Sequence, residues 1–296
     1  RACRPLYRLF GRTLIANFGP RDLKTLQAHW VGEGLSRKMV NSKVSKIRQV
    51  FKWGVSESVV PPDILAALQA VSGLRKGYTE APERPPIKSV TWEQVEPVLQ
   101  ELSPQLKAMV LLQWHTGCRP GEICMMRAEE IVTDRDPWVW AMGDHKTAHL
   151  ERERVIFLGD RAKEILAPWL EGLEEGLVFP VGRAMQERFR QRRAARESKL
   201  TPSQRQRDKR NAYVRSKRNK PYEVQSYRQA IHRACKRMGM EPWNPNQIRH
   251  TFATRMAQKH GRVAAQVLLG HSTPTTTAIY TDRDHDLAAR IMAEEG

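Results

Sequence analysis

Between Ser36 and Glu57, apolar side chains return every three or four positions, at Val40, Val44, Ile47, Phe51 and Val55. That spacing draws a single apolar stripe along an α-helix, and Ser36 is a residue type that caps such a helix at its start. Lys38, Lys43, Lys46, Arg48 and Lys52 fall largely off the stripe. Pro61-Pro62 ends this helix and opens a short one through Asp63–Val71, so three helical stretches precede the first cluster of breakers. The cluster itself, GLRKGYTEAPERPP (Gly73–Pro86), has the Gly, Pro and charge content of a flexible link. The boundaries predicted here are a helical domain over 1–78, a linker over 79–86 and a second domain over 87–296.

The second domain starts with a capping box, Thr91-Trp-Glu-Gln94, and Ser103-Pro104 opens another helix. That helix, PQLKAMVLLQWHT, is apolar on most faces and so predicted to be buried, with Gly117 as its stop. Trp138–Met142 and Arg154–Leu158 read as strands around a Gly143-Asp144 turn, followed by a helix over Asp160–Leu170 and a short Leu177–Pro180 strand. Glu223–Met238 has helical period and Gly239 ends it; Trp243-Asn-Pro-Asn246 leads into a further helix. The predicted class is mainly α with a small antiparallel sheet.

Charge narrows the partner. The chain of 296 residues carries 50 Lys and Arg against 32 Asp and Glu, a formal +18, which points to a polyanion, with nucleic acid ahead of an anionic membrane surface. From Arg183 to Lys220 there are 15 Lys and Arg against three acidic residues, net +12. This stretch has too few apolar residues to bury a core of its own. It is either a solvated insertion or a segment that settles on phosphates, and the self-repulsion of so many like charges favours the second reading. The lysines of the Ser36 helix have the same two readings, solvation of a surface or contact with DNA phosphates. No run of ~18 apolar residues or secretory signal is legible, and the expected location is cytoplasmic. The chain starts with Arg rather than Met, as a fragment would. Cys3, Cys118, Cys124 and Cys235 lack paired metal-ligand spacing, so no metal site is expected and buried reduced thiols are.

Candidate chemistry lies in PNQIRHTFATRMAQKHGRVAAQVLLGHSTPTTTAIY, from Pro245 to Tyr280. A guanidinium (Arg249), an imidazole (His271) and a phenol (Tyr280) suit a phosphate: two forked donors, one further donor and an oxygen able to attack phosphorus. I-R-H-T-F-A-T, then L-L-G-H, then a tyrosine nine residues on, resembles the C-terminal half of the tyrosine recombinases, the phage-integrase-type enzymes. The resemblance implies an earlier arginine and a hairpin lysine. T-G-C-R-P-G-E-I supplies Arg119, with Glu122 as the acidic residue that buttresses it, and His145-Lys146-Thr147 supplies Lys146 between the two strands. Where the family has His-x-x-Arg, this chain has Asn246-Gln247-Ile248-Arg249. Asn246 shares a helix face with Arg249 and can hydrogen-bond phosphate, but it cannot transfer a proton near neutral pH. His250, about 100 degrees round an ideal helix, reads as structural.

What the resemblance implies is a core-binding helical domain followed by a catalytic domain that cuts and rejoins double-stranded DNA. The implied intermediate is a covalent 3′-phosphotyrosyl link through Tyr280. Arg119, Arg249 and His271 would hold the phosphate, and Lys146 would protonate the leaving 5′-oxygen. The covalent link conserves the energy of the broken bond, so no metal or nucleotide cofactor is implied. The implied assembly is a homotetramer on paired sites, with accessory DNA-bending proteins as a further partner class. The tail TDRDHDLAARIMAEEG places Leu287 and Ile291 on one helical face, and in relatives such a tail docks on a neighbouring subunit. Two rivals share these residues: a type IB topoisomerase, and an integrase-derived DNA-binding protein whose catalysis has decayed, with Asn246 as its sign.

Overall fold

The structure, a computed structural model, describes residues 2–85, 88–143, 154–183, 193–195, 201–206 and 220–270. The chain forms two compact units, Arg1–Pro86 and Ile87–Gly296.

In the first unit, α1 (Cys3–Phe10), α2 (Pro20–Gly32), α3 (Arg37–Ser56) and α4 (Pro62–Gln69) surround one apolar core. The predicted stripe of α3 is its core face. Val40, Val44, Ile47 and Phe51 are buried against Leu23, Leu26 and Trp30 of α2, and only Val55 is partly exposed. Phe18 stacks on Phe51 at 5.1 Å and meets Phe10 edge-on at 5.3 Å, an arrangement that favours the ring quadrupoles. Ser36 occupies the cap position of α3 without making a side-chain cap bond.

The stretch expected to be a flexible link is instead held on α3. Asn41 donates to the Leu74 carbonyl (3.0 Å) and accepts from the Leu74 N–H (2.8 Å). Further along, the Arg37 N–H bonds the Pro82 carbonyl, its guanidinium pairs with Glu83, and Ala81 is buried. Local Gly, Pro and charge could not reveal this, because the partners come from 33 and 46 residues away.

In the second unit, α5 (Trp92–Gln100), α6 (Pro104–Thr116), α7 (Pro120–Met125), α8 (Asp160–Leu170), α9 (Val224–Arg237) and α10 (Pro245–Leu269) enclose a sheet of β1 (Ile131–Val132), β2 (Trp138–Met142) and β3 (Arg154–Leu158). The order is β1-β2-β3, all antiparallel, with Ile131 opposite Trp140, Trp140 opposite Ile156, and Met142 opposite Arg154. Both predicted capping signals operate. Thr91 and Gln94 form the box that starts α5, and the Ser103 hydroxyl accepts the Leu106 N–H at the start of α6.

The predicted Leu177–Pro180 strand does not form. Leu177 makes one isolated bridge to Arg127, and Val178 and Phe179 are buried as core loop residues, which explains their apolar character. The Val181 N–H bonds the Lys220 carbonyl at 2.9 Å, so the residues at the two ends of the basic stretch meet.

Helix α6 is central, packed against α8 and α10, with Met109, Val110 and Leu112 fully buried. It ends at Gly117, whose φ of +64° is left-handed, and a Cβ there would collide with the Phe252 ring of α10. Both facts demand glycine. The left-handed backbone alone costs an L-residue roughly 1–2 kcal/mol, and the collision adds to it. Gly117→Ala is therefore expected to destabilise this unit by at least ~2 kcal/mol, read as a fall in the denaturant midpoint of its unfolding. An unchanged midpoint would show that the α6–α10 contact is looser than described.

Candidate active site

Arg119 sits at the N-cap of α7, directly after the α6 stop, so both flanking helices fix its backbone. Its N–H donates to Glu122 Oε2 at 2.6 Å and its guanidinium Nη1 to Glu122 Oε1 at 2.6 Å. These are the short distances of charge-assisted bonds. The Arg119 side chain keeps 29% exposure while Glu122 keeps 7%, so the carboxylate is the buried anchor and the guanidinium the accessible group.

A second arginine, Arg154 on β3, reaches the same oxygen: its Nε lies 3.4 Å from Glu122 Oε1. Burial pushes the Glu122 carboxyl up, but the Arg154 charge, the Arg119 N–H and the Arg119 guanidinium outweigh burial and hold it below the ordinary glutamate value.

Arg249 comes from the first turns of α10. That helix is opened by Pro245 and by Asn244, whose N–H bonds Gln247 Oε1 at 2.8 Å. Arg249 is 1% exposed, with Nη1 donating to the Gly117 carbonyl (2.7 Å) and Nη2 to the Leu269 carbonyl (2.8 Å). One guanidinium thus ties the residue two before Arg119 to the residue two before His271, so the two arginine motifs are brought together in space. Gly261, at φ +85°, breaks the helical geometry of α10 on the way to that end.

Asn246 is partly buried, and its Nδ2 lies 3.4 Å from Nε2 of His250, which is itself buried. The amide can donate to that nitrogen only in the tautomer that leaves Nε2 without a proton. Lys146, His271 and Tyr280 lie outside the described residues, as do the tail after Tyr280 and most of 183–220.

Tyr222 and Tyr227, the described tyrosines of this unit, are poor nucleophiles. Burial pushes the Tyr222 phenol up to about 12 and Tyr227 well above its usual value, and the Tyr227 hydroxyl is also bonded to Gln113. Cys118, next to Arg119, is pushed up to about 12 by burial and then by the Glu122 carboxylate, so it is a packed thiol rather than a reactive one. Cys124 and Cys235 are buried too; Cys3 is exposed, against expectation.

Sequence reading missed Arg154 as a site residue. The signal was present: in RVIFL, strand alternation puts Arg154 on the same side as Ile156 and Leu158, and all three are buried. An arginine on a core face requires a partner.

In the first unit, Lys38, Lys46 and Lys52 are exposed on α3. Lys43 lies 5.3 Å over the Trp30 ring, and Arg48 spends Nε on the Leu68 carbonyl (3.0 Å) and Nη2 on that of Val71, at the end of α4. Arg48 and Lys43 thus have structural contacts that Lys38, Lys46 and Lys52 lack.

The lowered Glu122 value has a sign. A folded-state value below the unfolded one contributes stability above the unfolded value of about 4.3, and that contribution is lost as pH falls through the folded value. Glu122→Gln is expected to destabilise the second unit by about 3 kcal/mol at neutral pH, since two guanidinia lose their shared charge. It should also flatten the fall of stability below pH ~4.3. Urea unfolding from pH 3 to 7 checks this, and parallel curves for the two proteins would contradict it.

Comparison with known proteins identifies the family. The model of the phage integrase family matches residues 88–286. Tyrosine recombinase XerC of Xylella fastidiosa (strain M23) is 24% identical over 288 residues, spanning 95% of this chain and 83% of that protein. The fold is similar to the Tn1549 transposon integrase in complex with transposon right end DNA, with TM-score 0.64, 16% identity and coverage of 99% of this chain and 92% of that one. It is also similar to a lambda integrase tetramer bound to a Holliday junction, with TM-score 0.61, 18% identity and coverage of 93% and 69%. The chain belongs to the phage integrase family, the tyrosine recombinases.

Proposed function

We propose that this protein recombines double-stranded DNA at specific sites by cutting and rejoining strands through a phosphotyrosyl intermediate. The observation that carries the reading is the tie made by Arg249 between the Gly117 carbonyl, beside Arg119, and the Leu269 carbonyl, beside His271. A phosphodiester held there meets guanidinia whose planes are set before substrate arrives, which is what stabilising transition-state charge requires.

In this mechanism the Tyr280 oxygen attacks phosphorus, and the phenol loses its proton at a cost lowered by the surrounding positive field. The bond from phosphorus to the 5′-oxygen breaks, and Lys146 supplies the proton that the leaving oxygen takes up. Arg119 and Arg249 hold the non-bridging oxygens, with a further hydrogen bond from His271. Attack by the 5′-hydroxyl of another strand on the phosphotyrosine reverses the step and completes the exchange. Asn246 contributes at most a hydrogen bond, because an amide has no proton to transfer.

Site-specific exchange needs two DNA sites and one nucleophile per strand, so the assembly we infer is a homotetramer; the similar lambda integrase was solved as a tetramer bound to a Holliday junction and as a dimer on a core site. Lys38, Lys46 and Lys52 are the α3 cations available to DNA phosphates, and the 183–220 stretch adds affinity without sequence reading. The family match favours recombination over the topoisomerase and decayed-binder readings.

The test is a nicked suicide duplex carrying candidate sites from the flanks of this protein's own gene, without added metal. Wild type is expected to form a covalent adduct that survives denaturation, and Tyr280→Phe to form none. Tight binding with no wild-type adduct would instead establish the decayed binder. Replacing Lys38, Lys46 and Lys52 with alanine should make the slope of log affinity against log salt shallower by roughly 2–3. An unchanged slope would remove α3 from the DNA-contacting surface.

A further inference from the structure

Arg154 is costly where it stands. It is 5% exposed, and a buried guanidinium needs short, complete hydrogen bonding to offset lost hydration. Its bonds are long: 3.4 Å from Nε to Glu122 Oε1, and 3.5 Å from Nη1 to the Leu268 carbonyl. Its Nη2 is buried with no partner among the described residues. Stability rewards satisfied donors, and this guanidinium leaves one unsatisfied among the described residues.

What the position does provide is connection. The Glu122 oxygen that Arg154 contacts also holds Arg119 Nη1. The Leu268 carbonyl it contacts adjoins the Leu269 carbonyl held by Arg249. The next residue, Gly270, is left-handed at φ +59°, and a Cβ there would overlap Arg154 Nη1, so backbone and guanidinium are fitted to each other just before His271. A cation at this end also complements the carbonyl end of the helix dipole.

We propose that Arg154 is a positioning residue for strand cleavage. It sets the Arg119–Glu122 pair in register with the end of α10 that leads to His271, and it does so without touching the DNA. The proposal rests on the recombinase reading above.

The test combines single-turnover adduct formation on the nicked suicide duplex, affinity for the same duplex, and thermal unfolding. Arg154→Met is expected to slow adduct formation by about 10²-fold, the scale of a misplacement of roughly 1 Å. Affinity should stay within about threefold of wild type; the melting temperature should fall, because the buried Glu122 carboxylate loses one of its two cations, with the protein still folded at the assay temperature. Arg154→Lys should be nearly as slow, since a point ammonium cannot span Glu122 and Leu268 together. Gly270→Ala, which keeps the charge but displaces the guanidinium, should slow cleavage too. In a cycle with Glu122→Gln, the double variant should lose far less than the two losses combined, because both act on Arg119.

A slow Arg154→Met that is partly unfolded at the assay temperature, or whose rate returns to that of wild type well below its unfolding transition, would make Arg154 merely structural and overturn the proposal. Additive losses in the cycle, or a cleavage rate within threefold of wild type, would also overturn it, with the recombinase reading intact. Absence of an adduct with wild type itself would remove that reading and the proposal with it.

Discussion

The second unit depends on one buried carboxylate. Glu122 takes the Arg119 N–H and guanidinium on its two oxygens and offers one of them to Arg154 as well. An isolated carboxylate at that depth would shed its charge, because desolvation opposes ionisation. The downward direction of its value shows that the two arginines win that contest. The charge can stay only while α7 and β3 remain in place to supply them, so the carboxylate converts a chemical need for ionisation into a geometric constraint on two elements. Arg154 extends the constraint to the end of α10 through Leu268.

A second tie runs through Arg249, and it uses backbone rather than carboxylate. Carbonyl oxygens cannot be neutralised by a drop in pH, so the Gly117 and Leu269 bonds hold where the Glu122 pairs weaken. Their acceptors are well anchored. Gly117 ends a helix buried on most faces and abuts Phe252, on the same helix as Arg249. A helix with an apolar stripe can slide or rotate along its solvent side; α6, walled in by α8 and α10, has little such freedom. The end of α6 is therefore a fixed reference point for Arg119.

What could be read from the residues follows from how local each cause is. The α3 stripe, the Thr91–Gln94 box, the Ser103 cap and strands β2 and β3 are set by residues within a turn or a pleat of one another. The anchoring of Leu74, Pro82 and Glu83 on α3 was not legible, nor was the looping of Leu177–Pro180, because distant partners decide them. The Arg119–Glu122 pairing was legible at three residues' separation, whereas Arg154 meets Glu122 across 32. The resemblance pointed to Lys146, His271 and Tyr280 through motif spacing, and no local physics of helix or strand would have singled them out.

The positive charges divide by chemistry as well as by place. Among the described residues the site's cations are arginines whose forks are fixed by a carboxylate or by carbonyls; on α3 the exposed cations are lysines with mobile heads. A fork held in plane confers orientation, which a transition state rewards. A mobile ammonium confers long-range attraction, which encounter with DNA rewards. Salt acts on these unequally. Exposed charges lose their pull within a Debye length of about 8 Å at physiological ionic strength. Buried pairs such as Arg154 with Glu122 are screened far less. In the function proposed, DNA capture and strand cleavage draw on separable parts of the same +18, and ionic strength can weaken the first while leaving the geometry of the second in place.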